Sequence, residues 1–216
     1  MKKIFGILFV VLSVFLNIYL AVDKIKTGNK DFYTVIEVTD GDTFVTNTGA
    51  KVRILGIDAP EAGLCGSQEA KEELEKLILN KKVKISATAN DTFKRLVADV
   101  YLDNASVNNQ MIASGWAAYD SSDSVNSEIM KQSGENARKN KIGIYSQKCS
   151  QTVPPNEKCR IKANINDTYG TKIYYLPSCT IRYDNISVDL FRGDQWFCTE
   201  KQAQAAGYRK SERCPI

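Results

Sequence analysis

The residues best suited to chemistry lie in Asp40-Gly-Asp-Thr43, in Arg53-Ile-Leu-Gly-Ile-Asp-Ala-Pro-Glu61, and at Arg95. Asp42 sits at the start of one short β-branched run. Asp58 and Glu61 follow the end of the next. A tightly curled meander brings such places side by side. Clustered carboxylates repel unless something positive sits between them. The chain has no histidine, so a hard cation with oxygen ligands, Ca2+ or Mg2+, is the natural occupant. Pro60 fixes the chain direction between Asp58 and Glu61. Arg53 and Arg95 offer forked, permanently charged donors that match phosphate oxygens in pairs. A metal and two guanidiniums would neutralise charge on five-coordinate phosphorus, while a carboxylate directs the attacking water. The set reads as a phosphodiester-hydrolysis site. Taken singly, each residue is more often structural: Asp-Gly-Asp is an ordinary turn, and strand arginines usually face solvent. The joint order carries the reading.

The absence of histidine excludes Ser-His-Asp and Cys-His catalysis, His-ligated zinc and imidazole acid–base chemistry. Lys and Arg exceed Asp and Glu by 29 to 25, a net charge of +4. That balance permits a polyanionic partner without requiring one. The 216 residues, 43% hydrophobic, suffice for one ordinary core and a small appendage.

The elements that must position these residues follow from pattern. Tyr33–Val38, Thr43–Thr46 and Lys51–Leu55 read as three strands separated by Asp40-Gly41 and Asn47-Thr-Gly49 turns. Ser67 can cap a helix running to about Leu79, with Ala70, Leu74, Leu77 and Ile78 at helical spacing. Lys82–Ala87 and Leu96–Leu102 are two more strands, and helices are expected over Ser106–Ser114 and Ser127–Lys139. Three strands, a helix, two strands and two helices is an α+β plan, a five-stranded OB-fold barrel with about three helices. Gln147–Glu157, with Pro154-Pro155, lacks periodicity and reads as a linker. Beyond it the chain is small, polar and rich in cysteine, and Thr199 with Gln202 forms a capping box for a helix over Glu200–Ala206.

Lys2 and Lys3 precede an apolar run from Ile4 to Val22. At about 1.5 Å per residue this can span a bilayer core of roughly 30 Å. An uncleaved anchor over 1–22, followed by a linker over 23–31, is preferred to a cleaved signal peptide, because Tyr19 two residues before Ala21 is a poor fit to a cleavage site. The body is then expected outside the cytoplasm, membrane-tethered, or secreted if the segment is removed. The even set Cys65, Cys149, Cys159, Cys179, Cys198 and Cys214 has no CxxC pair, so disulfides are expected over a zinc site.

Thr39-Asp-Gly-Asp-Thr43, Val52 to Glu61, Asp91-Thr-Phe-Lys-Arg95, Gly115-Trp-Ala117 and Gly143-Ile-Tyr-Ser146 together resemble the staphylococcal-nuclease (thermonuclease) family, over 32–149. The resemblance implies Ca2+ as cofactor, bound by the Asp42 and Asp58 side chains and the Ala59 carbonyl. It implies that Glu61 positions or deprotonates the attacking water, that Arg53 bridges the metal-bound phosphate, and that Arg95 stabilises the transition state. Asp40 and Thr43 would support these residues from behind. DNA and RNA would be the substrates, cut to leave 3′-phosphate ends, by a chain expected to be monomeric. Ala59 stands where the family usually has threonine. Thr92 and Phe93 stand where its type member has a lysine and a tyrosine, and only Tyr119 follows Gly115-Trp-Ala as a base-stacking tyrosine, with Asp120-Ser-Ser-Asp123 next. Phe93 and Tyr119 are the candidate substrate contacts.

After a linker over 150–158, the stretch 159–216 resembles the sunset domain in Cys159–Ile165, Gly170–Pro177, Trp196–Glu200 and Ala205–Arg209. Its Tyr174, Tyr175, Tyr183 and Trp196 read as core before ligand surface. Placement suggests the pairs Cys65–Cys149, Cys159–Cys214 and Cys179–Cys198. The competing function is an OB-fold envelope protein that binds single strands without cutting them; retention of Asp42, Arg53, Asp58, Glu61 and Arg95 argues for the enzyme. A role for the C-terminal module of its own is a third reading.

Overall fold

A computed structural model describes residues 13–15, 17–18, 32–120, 123–166, 170–179, 183–212 and 214, with Thr88 described by its backbone alone. The expected anchor over 1–22 and linker over 23–31 lie outside these residues except for 13–15 and 17–18, which are helical. Among the described residues no helix is long and apolar enough to cross a membrane. Tyr33–Ile216 packs as one unit.

Strands β1 (Phe32–Val38), β2 (Thr43–Thr46) and β3 (Lys51–Ile54) form the expected antiparallel meander. A two-residue strand β4 (Ile57–Asp58) follows, then helix α1 (Ser67–Ile78). Ala70, Leu74 and Ile78 are the buried stripe of α1 and face the same core as Val35, Phe44, Val52 and Ile54. Ser67 does not cap this helix. Its N-cap is Gly66, in the left-handed region at φ 87°, and no side chain closes that end. Strand β5 (Lys82–Asn90) runs three residues past the expected Ala87, carried by a bulge between Ala87 and Ala89. It pairs with β6 (Leu96–Leu102), and β6 pairs in parallel with β3, Arg53 opposite Val97. That last pairing closes a five-stranded, OB-like barrel, and β7 (Ala105–Ser106) merely extends the sheet.

Ser106 caps α2 (Val107–Ala113) through its hydroxyl and the Asn109 N–H. Strand β8 (Ala118–Tyr119) pairs with β4, and α3 (Ser127–Lys139) lies against α2. The β4–β8 pair was not legible in the sequence, because two-residue strands carry no period. The chain then crosses itself at two glycines. The Ile144 N–H donates to the Gly115 carbonyl at 2.8 Å. Gly115 and Gly143 have φ of 76° and 58°, and a Cβ on Gly143 would fall on the Gly115 carbonyl oxygen.

Part of the expected 150–158 linker is ordered structure: β9 (Ser150–Gln151) pairs with β12 (Val188–Asp189). Strands β10 (Ile161–Asn166), β11 (Thr171–Tyr175), β13 (Gln195–Phe197) and β14 (Arg209–Lys210) form a second sheet in the order β13-β10-β11-β14. It is covered by α4 (Glu200–Ala205), whose capping box between Thr199 and Gln202 is as expected. Tyr174 and Tyr183 are buried, so they serve as core. Lys162 is only 2% exposed, and its ammonium donates to the carbonyls of Tyr183 and Ile186 at 2.8 and 2.6 Å.

The six cysteines form three disulfides. Cys65–Cys149 is as expected, but the other two are Cys159–Cys198 and Cys179–Cys214 rather than Cys159–Cys214 and Cys179–Cys198. Sheet register explains the correction. Ile161 sits opposite Phe197 on antiparallel strands, which sets Cys159 beside Cys198. β14 runs parallel to β11, Tyr174 opposite Lys210, which carries Cys214 towards Cys179 just beyond β11. Loops of 35 to 84 residues closed in this way are each worth on the order of 4 kcal/mol by chain entropy.

Gly143→Ala should test the glycine crossing. A left-handed alanine costs about 1–2 kcal/mol, and the backbone collision adds to it. A loss of at least about 2 kcal/mol in urea unfolding is expected; an unchanged midpoint would mean that the crossing is not rigid.

Candidate active site

The barrel closure determines what surrounds Arg53. On one side β3 pairs with β2, Thr43 opposite Arg53, and the Ile54 N–H donates to the Asp42 carbonyl at 2.8 Å. On the other side Arg53 is opposite Val97. Arg95 lies two residues before Val97, just ahead of β6, where the extended chain keeps alternate residues on one face. Both arginines therefore reach one cavity of about 590 Å³, lined also by Leu55, Gly56, Asp91, Asp120 and Asp123.

The Arg53 guanidinium bridges two carboxylates. One nitrogen contacts Asp42 and the other lies 3.2 Å from Asp58. Asp42 is 6% exposed, and both its oxygens are bonded: one accepts from the Thr43 hydroxyl at 2.9 Å, the other from the Ala59 N–H at 2.9 Å. Asp40 accepts the Asp42 N–H at 3.1 Å. Burial pushes the Asp42 carboxyl up to about 6; Arg53 pulls it down, and the charge on Asp40 adds to the rise. Burial opposes the charge on Arg53, but Asp42, then Asp58 and Asp40, outweigh it and raise its pKa.

Close approach of three small residues makes this possible. A Cβ on Gly41 would stand 2.6 Å from those of Ala59 and Ala70. The glycine of Asp40-Gly-Asp42 thus lets that turn sit against both the Asp58 loop and α1.

Arg95 is held from behind by Asp91, which the sequence reading gave no role. The Asp91 carboxylate takes Arg95 Nε at 2.6 Å and the N–H groups of Phe93 and Arg95 at 2.9 Å each. Partial burial works against its charge, yet the Arg95 and Phe93 N–H groups and the Arg95 guanidinium hold its pKa below the usual range. The sequence signal was the Asp-x-x-x-Arg spacing around a turn, with Lys94 at φ 62°. Phe93 is 78% exposed, and the Arg95 guanidinium lies 5.3 Å from its ring centre. Tyr119 is only partly exposed, and its hydroxyl is 2.7 Å from Ser127 Oγ.

The structure thus gathers Asp40, Asp42, Thr43, Arg53, Asp58 and Ala59 into one group and sets Arg95 on the same cavity. Glu61 is exposed, and among the described residues no side-chain hydrogen bond or ion pair reaches it. No three acidic or cysteine side chains among the described residues converge to hold a metal by themselves. Two carboxylates and a carbonyl still suit a hard cation whose other ligands are water or substrate oxygens.

A family model described as staphylococcal nuclease homologue matches residues 51–147. An uncharacterized endonuclease of Haemophilus influenzae is 32% identical over 123 residues, 54% of this chain and 67% of that protein. The chain belongs to the staphylococcal-nuclease family. The family is one of phosphodiesterases, and hydrolysis of phosphodiester bonds is the reaction class that comes with it. A probable staphylococcal-like nuclease of Oryza sativa subsp. japonica is 39% identical over 74 residues, and a staphylococcal-like nuclease of Arabidopsis thaliana 31% over 100. The chain spans 22% and 29% of those two plant proteins, against 32% and 44% of its own length.

The Asp91–Arg95 pair makes a double-mutant prediction. Asp91→Ala should lower kcat on nucleic acid by about 10- to 100-fold through misplacement of Arg95. Adding it to Arg95→Ala should cost little more. Fully additive losses would show that Asp91 acts by another route.

Proposed function

We propose that this chain is an extracytoplasmic, Ca2+-dependent nuclease that cleaves DNA and RNA and leaves 3′-phosphate ends. The observation that carries the reading is one guanidinium, Arg53, shared by Asp42 and Asp58 on a cavity that also holds Arg95. Asp42, Asp58 and the Ala59 carbonyl would hold the cation. Bound there, Ca2+ supplies positive charge against the non-bridging oxygens of the scissile phosphate. The raised pKa of Asp42 supports the fit, since one guanidinium leaves that buried carboxylate short of positive charge. With a cation on Asp42 and Asp58, the Arg53 fork would be released from those carboxylates to take a phosphate oxygen.

Arg95, aimed by Asp91, stabilises the added charge of the five-coordinate state. Glu61 orients or deprotonates the attacking water, for which its exposed carboxylate has no competing partner among the described residues. Phe93 offers an exposed ring to a base. Three disulfides favour an oxidising compartment, and the Lys2-Lys3 flank and apolar run over 4–22 support a membrane anchor for a monomeric enzyme. The C-terminal module is read as sunset-like, from the motifs that carry that resemblance.

Cleavage of single-stranded DNA and RNA in the presence of Ca2+, with end-group analysis of the products, tests the proposal. Cleavage abolished by EDTA, restored by Ca2+ and yielding 3′-phosphates is expected. Cleavage that persists in EDTA would remove the metal; no cleavage of either polymer would remove the enzyme.

A further inference from the structure

Two acids line the cavity of Arg53 and Arg95 without joining the group around Arg53. They are Asp120 and Asp123, both exposed. The backbone beside each is tied to the barrel. The Asp120 N–H donates to the Gly56 carbonyl at 3.0 Å, and Tyr119 just before it pairs with Ile57. Asp120, just after β8, is thus tied to the loop that leads out of Arg53. Asp123 precedes Ser124, whose hydroxyl donates to the buried Asp99 at 2.6 Å. Asn126, two residues further on, donates to the Tyr101 hydroxyl at 2.9 Å. Asp99 is in turn bound by Asn108, which also donates to the Leu55 carbonyl at 2.8 Å. One polar network therefore joins the loop after Arg53, through the Leu55 carbonyl, to Ser124 beside Asp123. Among the described residues no ion pair neutralises Asp120 or Asp123.

The consequence concerns polyanions. A strand carries a phosphate at every nucleotide, so a strand that seats one phosphate at Arg53 and Arg95 brings others close by. A cavity of about 590 Å³ has room for a ligand of roughly mono- to dinucleotide size. A phosphate next to the one being cut then meets two carboxylates on the cavity wall instead of the cations that usually track a nucleic-acid backbone.

We propose that Asp120 and Asp123 set the length preference of the site: they repel a phosphate adjacent to the scissile one, so that bonds in short oligonucleotides or at strand ends are cut in preference to bonds within long strands. This rests on the nuclease reading of the cavity and adds the substrate class.

The test compares kcat/KM of the Ca2+-loaded full chain on a long single-stranded DNA and on a dinucleotide with one phosphodiester, at low and high NaCl. Asp120→Asn with Asp123→Asn keeps side-chain size and leaves the Asp120 backbone bond intact. In this variant the long-to-short ratio should rise about tenfold at low salt, through KM, and the gain should shrink as salt screens the carboxylates it removed. A ratio equal to that of the wild type, equal gains on both substrates, or a gain confined to kcat would overturn the proposal. A wild type that cuts neither substrate overturns the nuclease reading itself, and this one with it.

Discussion

One charged group governs the site: the guanidinium of Arg53 held between the buried Asp42 and the exposed Asp58. Asp42 is almost out of water, so its charge needs close compensation. Removing one partner of such a pair typically costs about 3–5 kcal/mol, because the other is left buried and unpaired. The barrel is arranged to supply the partner. Asp42, just before β2, and Arg53 on β3 stand at adjoining positions, since Thr43 pairs with Arg53. The Ala59 N–H ties the Asp58 loop to the same carboxylate. Gly41, Ala59 and Ala70 are small enough to let the two loops and α1 meet. Closure of β3 onto β6 then brings Arg95 to the same cavity, and Asp91 aims it.

The rest of the chain braces this arrangement. The loop after Glu61 runs to Cys65, which is joined to Cys149, and Lys148 pairs with Glu69 at 2.6 Å on the first turn of α1. The C-terminal module rests on the same place. The Leu190 N–H donates to the Cys149 carbonyl at 2.8 Å, Asp189 takes the Ser150 hydroxyl at 2.6 Å, and Phe191 meets the edge of Tyr145. Held by its own two disulfides and a buried lysine, the module is ordered enough to act as a buttress. It touches the enzyme-like barrel at the end of the loop that carries Asp58 and Glu61.

The sequence was informative where the physics is local or periodic. The three-strand meander, the apolar stripe of α1, the short helix after Ser106 and the Thr199–Gln202 box all follow from spacing, and all are present. The nearness of Asp42 and Asp58 was legible because carboxylates at strand ends need a shared positive partner; that Arg53 bridges them, and that Glu61 stands outside the group, was not. What escaped were pairings that depend on distant register. The two wrong disulfides came from order along the chain, whereas β10–β13 and β11–β14 pairing decides which cysteines meet. The two-residue strand β4 gives no pattern, and its partner β8 lies 61 residues away, from Ile57 to Ala118. Ser67 looked like a cap by residue type, but Gly66 in the left-handed region already makes the turn into α1. Asp91 was visible inside a motif without its purpose, because only the folded turn shows its carboxylate on Arg95 Nε.

The central claim is that Arg53 and a cation share the same two carboxylates, and that Arg53 then serves the phosphate. Calorimetric titration of Ca2+ into the wild type and Arg53→Gln, beside turnover of both, tests it most directly. Removing the competing guanidinium should leave Ca2+ affinity equal or higher while turnover falls by about 100-fold or more. A folded Arg53→Gln protein that loses Ca2+ binding, or that keeps turnover, would contradict the account.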